Sequence, residues 1–339
     1  MVYQKQADSA GKVADIKGSL TLKPDAKKVF LKARPLPFKL IPRVDKEIGN
    51  LVNERIFKVK VETSEFATPV VPVLKADDSV RLCGDYSVTV NPQLQITEHP
   101  LPTIDELVSE MSNCTVFGKI DIKWAFSHLE MDEESSQILT INTHKGLYKV
   151  TRLMYGIASG PALWQITMEK ILHGIKGVKV MLDDIALAAR NEYKFTKILE
   201  KTFKRLNDYN IKINEKKCVF FASEITYCGY VIGKNGLQKD SSKFDAIRKM
   251  PRPRNVTEAQ SFIGMINYYS RFIENTSTLL RPLYELLQKD KDFKWTERQE
   301  QSWVAAKKAF TSDKCLAFYD PTLPLVLPER SLRAAMPAI

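Results

Sequence analysis

The sequence predicts an α+β fold with a helical appendage. Strand-like segments alternate with helical ones early in the chain, and a stiff basic linker, residues 250–255, is followed by helical patterns alone. The first strand pair is the apolar run 67–74, which a polar turn joins to residues 80–83. We expect a β-hairpin there, with Lys75 and Arg81 close to its tip.

The elements that follow have defined ends. Thr103 with Glu106 forms a capping box that starts a helix. An apolar run that ends at Asp121 predicts a strand. A helix with one apolar face is predicted from Asn191, and it ends near Asn210, a residue type that tolerates the left-handed conformation after a helix.

Beyond the linker, two helical segments are predicted. An apolar stripe at helical spacing runs from Phe262 to Phe272, with Arg271 near its end. Thr296 and Gln299 form a second capping box, which opens a helix that continues to about Phe310.

The apolar run 180–187 has Asp183 and Asp184 at its centre, so it predicts a hairpin with two carboxylates at the turn. Such a pair is either a solvated turn or a divalent-cation site, because hard cations take oxygen ligands. The strand-end Asp121 could join them if the two strands are neighbours in one sheet. Three carboxylates could then hold two Mg²⁺ ions about 3.5–4 Å apart, as in nucleotidyl transfer.

Composition limits the other classes of function. The 339 residues carry a formal net charge of +11, which favours a polyanionic partner. Five Cys without a C-x-x-C spacing, and four scattered His, favour neither a zinc site nor a disulfide framework. The sequence has no signal peptide and no apolar run of about eighteen residues, so we expect a soluble protein that is not secreted.

Three segments carry a resemblance to reverse transcriptases: residues 121–126 resemble motif A, residues 153–165 motif B, and residues 182–184 the end of motif C. Residues 141–148, 227–232 and 262–272 resemble the pol polyproteins of gypsy-type LTR retrotransposons. Together the similar segments cover about residues 15 to 327, in the order and spacing of that family.

The resemblance implies a right-hand polymerase of fingers, palm and thumb. It implies these domains: a leader at 1–35, fingers and palm at 36–235, a thumb or connector at 236–290, and a truncated RNase H-like start at 291–339. The basic residues of the thumb, Arg248, Lys249, Arg252 and Arg254, either meet phosphates or form a solvated helix end.

The resemblance also implies the polymerase metal site. Asp121, Asp183 and Asp184 would be the catalytic ligands of two Mg²⁺ ions, with Mn²⁺ as an alternative. Lys75 and Arg81 match the residues that hold the nucleotide triphosphate. Without the resemblance, they are two exposed cations on a hairpin.

The remaining nucleotide contacts would come from three residues. Phe126 would pack beneath the incoming sugar and clash with a 2′-hydroxyl, although an ordinary core aromatic fits its spacing as well. Tyr155 and Gly156 would contact the nucleotide and the template, where glycine permits close approach of the backbone. A simple loop glycine is the alternative at Gly156.

A hairpin further along resembles the primer grip, which holds the primer 3′ end over the metals. Its residues are Tyr227, Cys228, Gly229 and Tyr230. A plain β-turn with a buried cysteine is the alternative reading of the same four residues.

The chain departs from the family pattern at several positions. Met181 replaces the tyrosine of motif C, Met154 replaces a proline of motif B, Gly160 stands where a less flexible residue is usual, and His128 replaces a common glutamine. At the C-terminus, residues 318–327 resemble the lead-in to an RNase H-like domain, but residues 328–339 do not continue it. RNase H activity is therefore not expected.

Three hypotheses for function follow. The first is an RNA-directed DNA polymerase that uses deoxynucleoside triphosphates and an RNA or DNA template-primer, without a membrane, in the cytoplasm or the nucleus. The second is a catalytically inactive nucleic-acid-binding relic of such a polymerase. The third is a DNA-directed or repair-type nucleotidyltransferase. The oligomeric state stays open.

Overall fold

The computed structural model describes residues 11–75, 78–109, 111–288, 292–312 and 315–316. The strands, in chain order, are β1 (Lys17–Gly18), β2 (Thr21–Leu22), β3 (Phe57–Val61), β4 (Thr68–Leu74), β5 (Val80–Gly84), β6 (Leu94–Gln95), β7 (Val116–Asp121), β8 (Glu130–Met131), β9 (Ile141–Thr143), β10 (Gly146–Val150), β11 (Val178–Met181), β12 (Asp184–Ala189), β13 (Val219–Ala222), β14 (Glu224–Tyr227), β15 (Tyr230–Gly233), β16 (Gly236–Lys239) and β17 (Cys315–Leu316). The α-helices are α1 (Ile41–Asn53), α2 (Ile104–Ser109), α3 (Glu133–Ile138), α4 (Gly160–Leu172), α5 (Glu192–Asp208), α6 (Phe244–Lys249), α7 (Val256–Tyr268), α8 (Thr276–Glu285) and α9 (Glu297–Phe310).

The chain divides into two compact units. The first contains the described residues of Met1–Leu107 and Thr115–Tyr227, and the second those of Val108–Cys114 and Cys228–Ile339. The domain limits expected from the sequence, at residues 35, 235 and 290, remain predictions. No helix in the described ranges is both long and apolar enough to cross a membrane.

The sheet that carries the acidic residues has the strand order β11-β12-β7-β13 and lies in the first unit. Its central pair, β12 and β7, is antiparallel over six residues, from Asp184↔Asp121 to Ala189↔Val116. Four consecutive residues of β12, Ile185 to Ala188, are almost completely buried, as expected of a strand covered on both faces. The condition stated for Asp121, that the two strands are neighbours in one sheet, is therefore met.

A second sheet in the first unit has the order β3-β10-β9-β4-β5. The predicted hairpin of residues 67–83 forms its edge as β4 and β5, with Val73 opposite Arg81. The segment predicted as an N-terminal leader contributes to the core of the first unit. Val13 and Leu20 are buried in the core, and the Leu20 amide donates to Ser135 Oγ at 2.8 Å.

The second unit combines helices α6–α9 with the antiparallel strands β15, β16 and β17. The residues of the predicted apolar stripe Phe262, Ile266 and Phe272 are buried, but α7 ends at Tyr268, so Phe272 lies in the 3₁₀ turn that follows the helix. The expectation that only helices follow the linker is wrong at β17, where Leu316 pairs with Leu237. Two paired residues are too few to produce a strand periodicity in the sequence.

The predicted helix ends are also confirmed. At α2, the Thr103 amide donates to Glu106 Oε2 at 2.7 Å, and the Glu106 amide donates to Thr103 Oγ1 at 3.3 Å. The second capping box, at Thr296, is present at the start of α9. Asn191 caps α5, and Asn210 after that helix has a φ of 56°.

Candidate active site

Asp121 and Asp184 lie directly opposite each other at the ends of β7 and β12. Residues in register on adjacent antiparallel strands project from the same face, with Cα atoms roughly 4.5–5.5 Å apart. Asp183 belongs to the tight turn between β11 and β12, where Leu182 has a φ of 52°. Asp184 is the first residue of β12, so only one of the two predicted turn carboxylates lies in the turn proper.

Two side chains of α4 fix this hairpin turn. Gln165, which is fully buried, donates from Nε2 to the Val180 carbonyl at 3.0 Å and accepts from the Leu182 amide at 2.8 Å. Trp164 Nε1 donates to the Leu182 carbonyl at 3.1 Å. The Ile122 amide donates to the Asp183 carbonyl at 2.9 Å, which fastens the turn to the end of β7. The sequence contained the motif B signal for Gln165, but it did not reveal this role.

The electrostatic environment makes Asp183 different from its neighbours. Within the described part of the chain, its Oδ1 atom is buried and accepts no hydrogen bond. Burial, together with the nearby charges of Asp184 and Asp121, raises the pKa of Asp183 to about 6. Arg81 and Lys217 partly oppose this increase. An unpartnered carboxylate oxygen beside two further carboxylates is the environment that a cation would stabilise.

Two lysines contact the other carboxylates, and neither was identified from the sequence. Lys119 Nζ lies 2.8 Å from Asp184 Oδ2, and Lys217 Nζ lies 3.7 Å from Asp121 Oδ2. Among the described residues, no three His, Cys, Asp or Glu side chains are grouped closely enough to hold a metal ion as they stand. The donor set of carboxylate oxygens fits Mg²⁺ chemistry, although Lys119 already contacts one oxygen of Asp184.

The predicted triphosphate residues line a cleft of about 360 Å³ in the first unit. Its lining includes Lys75, Arg81, Trp124, Met154 and Tyr155. The positive charge of Arg81, which lines this cleft, partly opposes the rise in the pKa of Asp183. The structure therefore brings Lys75 and Arg81 together on one concave surface.

Aromatic packing supports one wall of the cleft. The Arg81 guanidinium lies 4.8 Å from the centre of the Tyr155 ring, and the Tyr155 and Phe126 ring centres are 5.0 Å apart. Phe126 also packs edge-on against Trp164, with ring centres 6.5 Å apart. Burial and then the charge of Asp183 raise the pKa of the Tyr155 hydroxyl. Phe126 is thus held by contacts with two rings, those of Tyr155 and Trp164.

Gly156 occupies a position that a side chain would obstruct. Its φ is +96°, and a Cβ atom there would lie 2.8 Å from the carbonyl oxygen of Gly84. Asn91 fastens the loop by donating from Nδ2 to the Gly156 carbonyl at 2.8 Å and accepting from the Ala158 amide at 2.9 Å. This geometry explains the glycine at Gly156 without reference to a ligand.

The four residues predicted as the primer grip span the boundary of the two units. In the first unit, the Tyr227 hydroxyl donates to the Asp184 carbonyl at 3.4 Å, so this tyrosine contacts the acidic hairpin. In the second unit, Cys228 and Gly229 both have positive φ values, 48° and 75°, which is typical of a two-residue hairpin turn. The turn of the plain-turn alternative is therefore present, although Cys228 is only partly buried and not fully buried as that alternative had it.

Three tyrosines of the second unit hold this turn. Tyr268 donates to the Cys228 carbonyl at 2.6 Å, and Tyr269 donates to the Gly229 carbonyl at 2.9 Å. Tyr230 stacks on Tyr268, with ring centres 5.3 Å apart.

His128, which stands where the family commonly has glutamine, is a fully buried neutral side chain. Its Nε2 accepts from the Lys212 amide at 2.9 Å, and its Nδ1 lies 3.2 Å from the Trp124 carbonyl. The neutral tautomer with hydrogen on Nδ1 satisfies both contacts. Burial lowers the pKa of His128 to about 4.

We expect His128 to make the protein sensitive to acid. At pH 7.5 the side chain is neutral in both the folded and the unfolded state. As the pH falls below 6.5, only the unfolded state gains the proton, so stability decreases toward pH 4. When the pH falls from 7.5 to 5.0, the free energy of unfolding, measured with urea, should decrease by about 2 kcal/mol more for wild type than for His128→Gln.

The exposed His173 provides the control. His173→Gln should keep the pH dependence of the wild type. Equal acid sensitivity of His128→Gln and wild type would refute the assignment of a buried neutral histidine.

Comparisons with known proteins show which sequences resemble this chain. Residues 75–232 match the family model described as Reverse transcriptase (RNA-dependent DNA polymerase). An uncharacterized Caenorhabditis elegans protein is 32% identical over 270 residues, which are 79% of this chain and 21% of that protein. The retrovirus-related Pol polyprotein from transposon 412 of Drosophila melanogaster is 28% identical over 312 residues, 90% of this chain and 25% of the polyprotein. The chain thus spans about a fifth to a quarter of the length of these curated relatives.

Solved structures give the same fold. A foamy viral protease-reverse transcriptase in complex with double-stranded DNA has a TM-score of 0.84 and 24% identity, covering 92% of this chain and 55% of that one. The foamy viral enzyme with an RNA/DNA hybrid has a TM-score of 0.82 and 24% identity, covering 93% of this chain and 42% of that one. The chain has the right-hand polymerase fold, its residues 75–232 match the reverse transcriptase family model, and it is similar to part of the transposon 412 polyprotein.

Proposed function

We propose that this chain is the polymerase part of a gypsy-type LTR retrotransposon and copies RNA into DNA. The observation that carries the proposal is the pairing of Asp184 with Asp121 beside the turn that holds Asp183. The unpartnered oxygen of Asp183 supports it further. The gypsy type is supported by the resemblance of residues 227–232 and 262–272 to that group.

In this proposal Asp121, Asp183 and Asp184 hold two Mg²⁺ ions, or Mn²⁺ in their place. When bound there, the ions lower the pKa of the attacking 3′-hydroxyl and neutralise charge on the leaving pyrophosphate. The carboxylates are presented by the ends of two buried strands, whose backbone hydrogen bonds keep them in place. The chain's own contribution is to place the three carboxylates at one edge of the sheet before the substrates arrive.

The incoming deoxynucleoside triphosphate would occupy the cleft lined by Lys75, Arg81 and Tyr155. The two cations suit the triphosphate, because charge-assisted hydrogen bonds to phosphate are strong. Phe126, buried behind Tyr155, would limit the space next to the sugar and so exclude a 2′-hydroxyl. Gly156 lets the loop backbone approach the nucleotide and the template.

The primer end would be held by the turn of Cys228 and Gly229 and by its flanking tyrosines, Tyr227 and Tyr230. Within the first unit, the Tyr227 hydroxyl donates to the Asp184 carbonyl, which supports a place for Tyr227 next to the acidic hairpin. The template-primer is RNA or DNA, and the net charge of +11 favours its binding.

Primer extension on an RNA template tests the proposal. The full chain is incubated with a primed RNA template, deoxynucleotides and Mg²⁺, and product length is read on a gel. We expect extension on RNA that stops when the Mg²⁺ is chelated. Extension on DNA templates alone would instead indicate the DNA-directed alternative.

The main competing function is a relic that binds nucleic acid without extending it. Met181 and Met154 motivate it, because they replace the family's tyrosine and proline. Salt-dependent duplex binding with no product would overturn our proposal in favour of the relic. In that case Met181→Tyr together with Met154→Pro should restore extension if these changes caused the loss.

A further inference from the structure

Lys119 lies on the same face of the sheet as the carboxylates. It precedes Asp121 by two residues on β7, and alternate residues of a strand project from one face. Its partner across the strands is Ala186, two residues beyond Asp184 on β12. This diagonal placement brings Lys119 Nζ to 2.8 Å from Asp184 Oδ2.

The ion pair is shielded from solvent. The side chains of Lys119 and Asp184 are 22% and 26% exposed, whereas the side chain of Lys217, 3.7 Å from Asp121, is 68% exposed. Water screens a charge pair less when its members are partly buried, so Lys119 acts on the site more strongly than Lys217. The described structure gives the Asp183 Oδ1 atom no partner at all.

The three carboxylates are therefore not equivalent. Asp183 has a buried oxygen without a competing partner, Asp121 has a weak competitor, and Asp184 has a close ammonium group already in place. A divalent ion that uses Asp184 must share it with Lys119 or displace the lysine.

We propose that Lys119 is a positioning residue that controls access of divalent cations to Asp184. It holds the Asp184 carboxylate in one orientation and weakens the ion site to which this carboxylate contributes. The inference rests on the proposed function, because it takes the carboxylates as the metal site. A purely structural ion pair would support the sheet without changing cation affinity.

Binding of Mn²⁺ to the full chain, followed by the electron paramagnetic resonance signal of free Mn²⁺ without nucleotide or primer, tests the proposal. Lys119→Met removes the ammonium group, so it should tighten the weaker Mn²⁺ site about five- to tenfold. Lys119→Arg keeps the charge and should bind as wild type does. Lys217→Met should change the affinity less than about twofold, because that lysine is exposed.

Folding is checked by circular dichroism, and Lys119→Gln provides a second neutral variant if the methionine variant does not fold. Unchanged or weaker Mn²⁺ binding by the neutral variants would overturn the role of Lys119. Wild-type Mn²⁺ binding by Asp183→Asn would instead overturn the metal site, and with it the proposed function. The two failures are therefore distinguishable.

Discussion

Replacing Asp183 with asparagine is expected to stabilise the folded protein at neutral pH while it abolishes nucleotide incorporation. The pKa of Asp183 is raised to about 6 from an ordinary 3.8. Below about pH 4 the Asp183 side chain is protonated in both the folded and the unfolded state, so its ionisation does not affect stability. Between pH 4 and 6 only the unfolded state gives up the proton, so stability falls as the pH rises.

Above pH 6 the ionised Asp183 destabilises the folded state by about 1 kcal/mol, after allowance for its partial exposure to solvent. Urea unfolding at pH 7.5 in the presence of a chelator should therefore show that Asp183→Asn is more stable than wild type by about 1 kcal/mol. Added Mg²⁺ should stabilise the wild type and remove the advantage, because the ion stabilises the folded state that binds it. A variant less stable than wild type under chelation would contradict this account.

Gly156→Ala is expected to destabilise the first unit by about 3 kcal/mol and to weaken nucleotide binding. An alanine at a φ of +96° is strained, at a cost of about 1–2 kcal/mol. Its Cβ would also lie 2.8 Å from the Gly84 carbonyl oxygen, which is backbone and cannot move aside easily. The loop must therefore shift, and Tyr155, which lines the cleft, shifts with it.

Gly174 offers a matched control, because its φ is +80° and a Cβ there would meet no atom within 4 Å. Gly174→Ala should cost about 1 kcal/mol and leave the KM for deoxynucleotides unchanged. Urea unfolding and steady-state incorporation of the two variants separate backbone strain from steric contact. Similar effects at the two positions would show that the contact with Gly84 has no role.

The sequence predicted the acidic edge of the sheet because its signals are local. Asp121 ends an apolar strand, and the pair at 183–184 interrupts an apolar run, so each is visible without knowledge of the tertiary structure. The hairpin of Lys75 and Arg81 was found in the same way. The capping boxes are also local, since both partners lie three residues apart.

Lys119 and Gln165 could not be given their roles in advance. Lys119 meets Asp184 only in the particular register that places Asp184 opposite Asp121. Gln165 binds the hairpin turn only because α4 packs against β11, which no local pattern reports. The left-handed φ at Cys228 was likewise hidden, since glycine is the residue that marks such a position. Residues 317–339, the last part of the RNase H-like start predicted at 291–339, lie outside the described residues.

The rate of single-nucleotide incorporation on a primed RNA template, with Mg²⁺, tests the central claim most directly. Wild type is compared with Asp183→Asn and with Asp208→Asn, which makes the same change at an exposed position on α5. The account predicts a loss of at least about 10³-fold for Asp183→Asn and a change within about twofold for Asp208→Asn. Incorporation by Asp183→Asn at the wild-type rate would contradict it.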